Sequence, residues 1–306
     1  MPLVTRWTGR ETKALREALR MTTADLGHKL GVSDRIVARW EAQSVEASIR
    51  PVNQAALDTL LAISDRDVHG RFAGLLTDGD ASPAQLVEPG NNPILSGTYI
   101  KHPKDGRHMA EVPEGIYLAG ESDEPVWLDA FLIDVFPVTN ADYARFVTAT
   151  GHPTPSHWEG GRCHPRIYDH PVVEVSHSDA NAYATWADKA LPTAEQWEKA
   201  ARGTTGTIWP WGDPPSAAKC NARETGIGST TSVSRYHSGV SPYGVYDMVG
   251  NVWEWTSTPS TTGRYELKGS AFTSPAFRGK PAAFNDANDF KRDDDTGFRW
   301  TAISIR

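Results

Sequence analysis

Along the first 76 positions apolar residues return at helical spacing, and nothing there alternates in the manner of a strand. Thr8 with Glu11 three residues on makes a capping box ahead of 12–20, where Ala14, Leu15, Ala18 and Leu19 share a face. Thr22 or Thr23 can cap a second helix through Leu26 and Leu30, closed by Gly31. Ser33 can cap a third that aligns Ile36, Val37 and Trp40. After Pro51 the residues Ala55, Ala56, Leu60, Leu61 and Ile63 continue the pattern, and 68–76 extends it. Four or five short helices are therefore expected.

The periodicity stops from Thr77 to about Met109, where Pro83, Pro89, Pro93, Pro103 and several glycines indicate a linker long enough for its flanks to move independently. Beyond it, short apolar runs at 115–118 and 127–135 predict strands, while 140–150, 178–190 and 193–202 predict helices. The remainder is turn-rich and aromatic, without an internal repeat. The expected organisation is an all-α domain at 1–76, a linker at 77–110 and an α+β domain at 111–306, rather than alternating βαβ units.

Composition narrows this picture. With 39% hydrophobic and 23% charged residues, the 306-residue chain is neither disordered nor fibrous. It has no run of about 18 apolar residues and no secretory leader pattern, so a cytoplasmic protein without membrane contact is expected. Cys163 and Cys220 are too few and too distant for a disulfide framework or zinc cluster, and are expected as buried thiols. The net charge of −7 disfavours nucleic-acid binding by the chain as a whole, but it is uneven. Residues 1–76 hold 11 Lys/Arg against 9 Asp/Glu, and the rest 20 against 29. A weakly basic head on an acidic body suits a DNA-binding module joined to a different domain.

The segment from Thr22 to Glu41 places a short helix, a glycine turn (Leu30-Gly31-Val32-Ser33) and a second helix ending in Trp40-Glu41 in succession. Leu26, Leu30, Val32, Val37 and Trp40 would lock the two helices together. It resembles the helix-turn-helix of the XRE-like, phage-repressor family over about residues 8–76. That resemblance implies that Ser33, Asp34, Arg35 and Arg39 reach base edges, while Lys29, Arg20, Arg10 and Arg16 meet phosphates. The alternative is a helical bundle for protein contacts.

A second set of motifs lies downstream. His170-Pro171-Val172-Val173-Glu174-Val175, the run from Leu191 to Gly203, Pro242 to Met248, Gly250-Asn251-Val252-Trp253-Glu254-Trp255 and Gly297-Phe298-Arg299 occur in order. Together they resemble the formylglycine-generating enzyme, or sulfatase-modifying factor, family over about 111–306, which implies a C-type-lectin-like α+β fold. Asp247 and Glu254 flank a glycine-containing loop whose carbonyls can turn inward, a donor set suited to a hard cation. The resemblance implies structural calcium there, on Asp247, Glu254 and the carbonyls of Gly250 and Val252. It implies a second site on Asn221, Ala222, Glu224 and Ile227. Carboxylates that bond only to backbone are the alternative.

Copper-dependent relatives carry two cysteines five residues apart after a Gly-Ser pair. At the matching positions after Gly269-Ser270 stand Thr273 and Arg278, neither a soft ligand, so copper is not expected and no catalytic residue is assigned. Iron is not expected either, since the family's iron members draw ligands from an additional helical domain. His152, His157, His164, His170 and His177 are read as structural. Arg278 would make the groove floor positive, suiting an anionic ligand or a carboxylate from Asp293, Asp294 or Asp295. Three functions follow: a DNA-binding regulator with a catalytically silent sensing domain, an oxidoreductase of altered chemistry on a peptide or small molecule, and a lectin-like protein-binding scaffold weakly suggested by Asn285, Asp286, Asn288 and Phe290. The first is expected, with DNA and an unidentified ligand as partners; a homodimer is compatible with the sequence.

Overall fold

The computed structural model describes Val4 and residues 6–62, 64, 66–77, 99–212 and 215–303. It divides into two units, 1–96 and 97–306. Most of the expected linker, 78–98, lies outside the described residues.

The first unit holds α1 (Gly9–Ala18), α2 (Thr23–Leu30), α3 (Asp34–Gln43), α4 (Pro51–Ala62) and α5 (Arg66–Thr77). Capping boxes at Thr8/Glu11 and Thr22/Asp25 start α1 and α2, and Gly31, left-handed at φ 65°, closes α2. Gly27 is required by the turn that follows: a Cβ there would sit 2.9 Å from the Val32 carbonyl oxygen. Leu26, Leu30, Val37 and Trp40 bury together with Trp7, Leu15, Leu57 and Phe72, and Val32 packs partly against them. Ser33 occupies the N-cap of α3 but makes no side-chain capping bond. Asp34 Oδ1 instead accepts the Arg35 N–H at 2.8 Å.

In the second unit β1 (Tyr99–Lys101) and β2 (His108–Val112) precede β3 (Gly115–Ala119), β4 (Glu124–Leu128) and β5 (Phe131–Asp134). The end of the expected linker is thus sheet, because β2 pairs with β5 and β1 with β2. The single strand expected at 127–135 is two, since β4 belongs to a hairpin with β3 and β5 to a separate sheet. Helices α6 (Asn140–Thr150), α7 (His177–Ala187) and α8 (Ala194–Arg202) follow, each opened by a capping box. The chain then forms β6 (Trp253–Thr261), β7 (Arg264–Lys268), β8 (Asn285–Asn288), β9 (Thr296–Gly297) and β10 (Thr301–Ile303).

One sheet has the antiparallel order β1-β2-β5-β10, and another the order β8-β7-β6-β9, in which β6 and β9 run parallel. Between α6, α7 and these strands lies an aromatic core of Tyr143, Phe146, Tyr183, Phe298 and Trp300, with Tyr183 stacked on Trp300 at 5.4 Å. Cys163 and Cys220 are free and buried, and burial pushes their thiols up to about 11 and about 12. No helix among the described residues is long and apolar enough to cross a membrane.

Candidate functional site

Two candidate regions arise, one in each unit. On the helical unit, Ser33, Asp34, Arg35 and Arg39 are all exposed along α3, Arg20 is exposed beyond α1, and Lys29 is half-buried. Two of the expected phosphate contacts are instead internal. Glu41 takes Arg16 through two hydrogen bonds, Nε to Oε1 at 2.6 Å and Nη2 to Oε2 at 2.9 Å, and Arg10 Nη2 donates to the Leu76 carbonyl at 2.6 Å. A guanidinium held as a fork on a carboxylate is neutralised and cannot at the same time clamp a phosphate.

In the second unit the loop from Asp247 to Glu254 is built around Asn251. Asp247, Gly250 and Asn251 all have positive φ (53°, 78° and 66°), which folds the chain sharply back on itself. A side chain at Gly250 would meet the Asn221 carbonyl oxygen at 2.4 Å. Asn251 Nδ2 donates to Asp247 Oδ2 at 2.7 Å and to the Thr231 carbonyl at 3.1 Å, while Asn251 Oδ1 accepts from the Thr231 N–H and from Asn221 Nδ2. This hub was singled out by no chemistry in the sequence; its only signal was its place after Gly250.

The expected first calcium set is only partly free. Asp247 is buried, its Oδ1 has no partner, and burial pushes its carboxyl up to about 7. An orphaned carboxylate oxygen of this kind fits a cation. Glu254 does not fit as assigned. It is fully buried, Arg299 donates to both its oxygens at 2.7 Å, and Trp197 Nε1 donates to Oε2 at 2.7 Å. Its negative charge is matched by a guanidinium, leaving Asp247 as the one unneutralised carboxylate of the set. Arg299, quoted only as part of a motif in the sequence, is therefore the residue that sets the electrostatics here.

The second expected set is consumed within the protein. Asn221 Oδ1 accepts from Thr225 Oγ1, the Ala222 carbonyl accepts from the Thr225 N–H and hydroxyl, and both Glu224 oxygens accept the Ala276 N–H at 3.1 and 3.0 Å. Ile227 is exposed. These bonds hold the loops together. Among the described residues no group of three or more His, Cys, Asp or Glu side chains is arranged to hold a metal. Three of these histidines bond locally: His152 with Asp179, His170 with Thr230, and His177 with the Thr256 carbonyl while stacking on Tyr265 at 3.6 Å.

The loop that would carry the thiolate pair follows β7. Ser270 is buried with positive φ and a partnerless hydroxyl. Thr273 is exposed and donates to Asp295 Oδ2 at 2.5 Å. Arg278 lies on the one-turn helix 276–279, with its Cζ 5.8 Å from the ring centre of Trp253. A hydroxyl already donating to a carboxylate and a permanently protonated guanidinium cannot replace two thiolates on a soft metal, so the residues present do not fit copper.

Comparison with known proteins places this geometry. Residues 96–303 match the sulfatase-modifying factor enzyme 1-like domain. The uncharacterized protein YfmG of Bacillus subtilis is 37% identical over 210 residues, covering 55% of this chain and 40% of that protein. The hercynine oxygenase of Mycolicibacterium smegmatis is 31% identical over 263 residues, covering 68% and 60%. This chain thus spans less than two thirds of either relative. The solved structure of PvdO from Pseudomonas aeruginosa aligns with a TM-score of 0.57 at 22% identity over 67% of this chain and 97% of its own, which shows a shared fold.

Proposed function

Because the chain belongs to the sulfatase-modifying factor enzyme 1-like family, we propose that its second unit is an oxidoreductase acting on a peptide or small molecule by chemistry other than a copper–thiolate pair. The observation that supports this is the 270–279 loop. It keeps a buried frame of Ser270, Gly279 and Trp253 beneath an outer face of Thr273 and Arg278, in a sequence similar to an oxygenase. Function here is argued from the site, since the fold alone hosts several. The test is incubation of the full-length protein with a peptide library and a metabolite extract, in air and under argon, with copper(I), iron(II) or chelator, followed by mass spectrometry. An oxygen-dependent mass change supports the reading. No conversion under any condition overturns it in favour of a sensing or scaffold domain, and conversion of a cysteine peptide by copper alone overturns the altered chemistry.

A specific observation favours an added role for the helical unit as a helix-turn-helix reader of DNA, which would make the protein a regulator. The exposed row of Ser33 at the N-cap and Asp34, Arg35 and Arg39 on α3 engages no other side chain among the described residues, whereas Arg16 and Arg10 are internally paired. Arg35→Ala is expected to relax sequence selectivity by roughly 1–3 kcal/mol, and Lys29→Ala to weaken binding evenly on all duplexes. Binding selection on random duplexes with the full-length chain checks this; an unenriched pool removes the reading.

Calcium is proposed only at Asp247 Oδ1 with the Gly250 and Val252 carbonyls, where it would tie the loop and neutralise the buried carboxylate. At 100 times its dissociation constant such an ion adds about 2.7 kcal/mol of stability. Chelation should lower the melting temperature, and Asp247→Asn should abolish that response. A melting curve of metal-loaded protein that chelator leaves unchanged rules the site out.

A further inference from the structure

Most cations of the second unit have a structural partner. Lys189 sits between Asp105 and Asp134, Arg202 and Lys268 face Glu198, and Arg299 matches Glu254. Arg278 is an exception. It is exposed, and its guanidinium forms no ion pair or hydrogen bond with the described residues. The internal carboxylates that the sequence offered it are engaged elsewhere: Asp295 accepts from Thr273 and Thr296, and Asp293 pairs with Lys291 at 2.7 Å. Asp294 forms no ion pair with it.

The arginine is nonetheless held in place. Glu224 ties down the Ala276 N–H at the start of its turn. At the end of the turn, Gly279 packs so closely that an added Cβ would meet Val249 Cγ1 at 2.6 Å and Ser270 Cβ at 3.2 Å. The ring of Trp253, only 4% exposed, provides a rigid face for the guanidinium. A cation held over a ring face makes no conventional hydrogen bond to it, so the guanidinium N–H donors stay available for bidentate capture of an oxyanion. Arg223, also exposed and without a side-chain partner among the described residues, belongs to the same neighbourhood, since its backbone N–H donates to the Ser274 carbonyl at 3.0 Å. Exposed Lys280 adds a third cation on an otherwise acidic unit.

We propose that Arg278, held over the ring of Trp253, binds the oxyanion end, carboxylate or phosphate, of the ligand that this loop takes. The proposal deepens the reading of the 270–279 loop as the reactive groove and rests on it. Where thiolate-bearing relatives would present a metal-binding pair, this chain presents a fixed positive charge, so the selected ligand is anionic.

The experiment is calorimetry at low salt on the full-length protein with three probes: N-acetylglycine, its neutral amide and inorganic phosphate. At least one anion is expected to bind ten or more times more tightly than the amide, and the preferred anion identifies the source as carboxylate or phosphate. Arg278→Ala should lose that factor of ten or more without a change in melting temperature, and Arg278→Lys should recover part of it. Arg235→Ala, which removes a guanidinium lying over the ring of Tyr236 elsewhere, should leave binding unchanged. Equal binding of acid and amide, no binding of any probe, or full affinity in Arg278→Ala overturns the proposal. Oxygen-dependent turnover of an acidic substrate that survives Arg278→Ala sinks the anion clamp alone. Arg278-dependent anion binding in a protein with no oxygen-dependent conversion sinks the oxidoreductase reading alone.

Discussion

In the helical unit every buried side chain among the described residues is uncharged, whereas the second unit buries Asp105, Arg107, Asp134, Glu198, Arg202, Asp247, Glu254, Lys268 and Arg299. The helices close over one apolar stripe each, so their stability comes from area removed from water. The second unit has little regular structure per residue and many loops to hold, and it does so with ion pairs and hydrogen bonds to carbonyls. Arg299 alone reaches Glu254, the Asp134 carbonyl and the Tyr246 carbonyl. The comparison teaches that the two units should fail differently: one through cavities, the other through charges left unpaired.

The largest expected effect is Arg299→Ala. It strands the fully buried Glu254 without its counter-charge and should cost the second unit roughly 3–5 kcal/mol. Hydrogen exchange followed by mass spectrometry, read separately for each unit, checks this; unchanged protection in 97–306 would show that the pair is not structural. Leu30→Ala comes next. It opens a cavity among Leu26, Val37 and Trp40 and should cost the helical unit about 3 kcal/mol, with the second unit unaffected. Equal loss in both units would break the comparison.

A smaller effect sharpens the contrast at Asp58, a half-buried carboxylate of the helical unit. Burial pushes Asp58 up to about 6, although Trp7 Nε1 donates to it at 2.6 Å. An acid whose folded pKa is raised holds its proton better when folded, so its contribution is fully present below about pH 4 and is lost as pH rises to about 6. Asp58→Asn, which can still accept from Trp7, should therefore stabilise this unit by roughly 1–2 kcal/mol at pH 7 and leave it unchanged at pH 3. Urea denaturation at both pH values measures this, and a gain of equal size at pH 3 would contradict the burial account. The smallest effect separates two caps that look alike in sequence. Thr22→Ala removes a side-chain bond to the Asp25 N–H and should cost about 1 kcal/mol, whereas Ser33→Ala should cost less than about 0.5 kcal/mol.

Features decided within a few residues were legible in the sequence. The capping box at Thr8 and the cap at Thr22 join residues three apart, and the apolar faces of α1 to α3 follow the helical period; the boxes at Thr139, Ser176 and Thr193 have the same spacing but were not read. The motifs from His170 to Arg299 likewise identified the family domain, which the comparison bears out over 96–303. The same order of motifs could not say which carboxylate at the Gly250 loop would keep its charge unmatched. Asp247 and Glu254 look equivalent along the chain, and they differ only because Arg299, 45 residues beyond Glu254, folds back onto one of them.

The start of the second unit was missed for the same reason. Strands β1 and β2 have too few residues to show a period, and they exist as strands because β5 supplies the missing hydrogen-bond partners. Arg278 belongs to both categories. The sequence by itself determined that an arginine stands at 278, where the family resemblance implies a thiolate. Only the tertiary structure decided that Thr273 takes Asp295, that Lys291 takes Asp293, and that the arginine lies over the ring of Trp253 with no hydrogen-bond partner among the described residues. Charge is written in the residue, but the field it feels is set by groups that the chain brings close only when it folds.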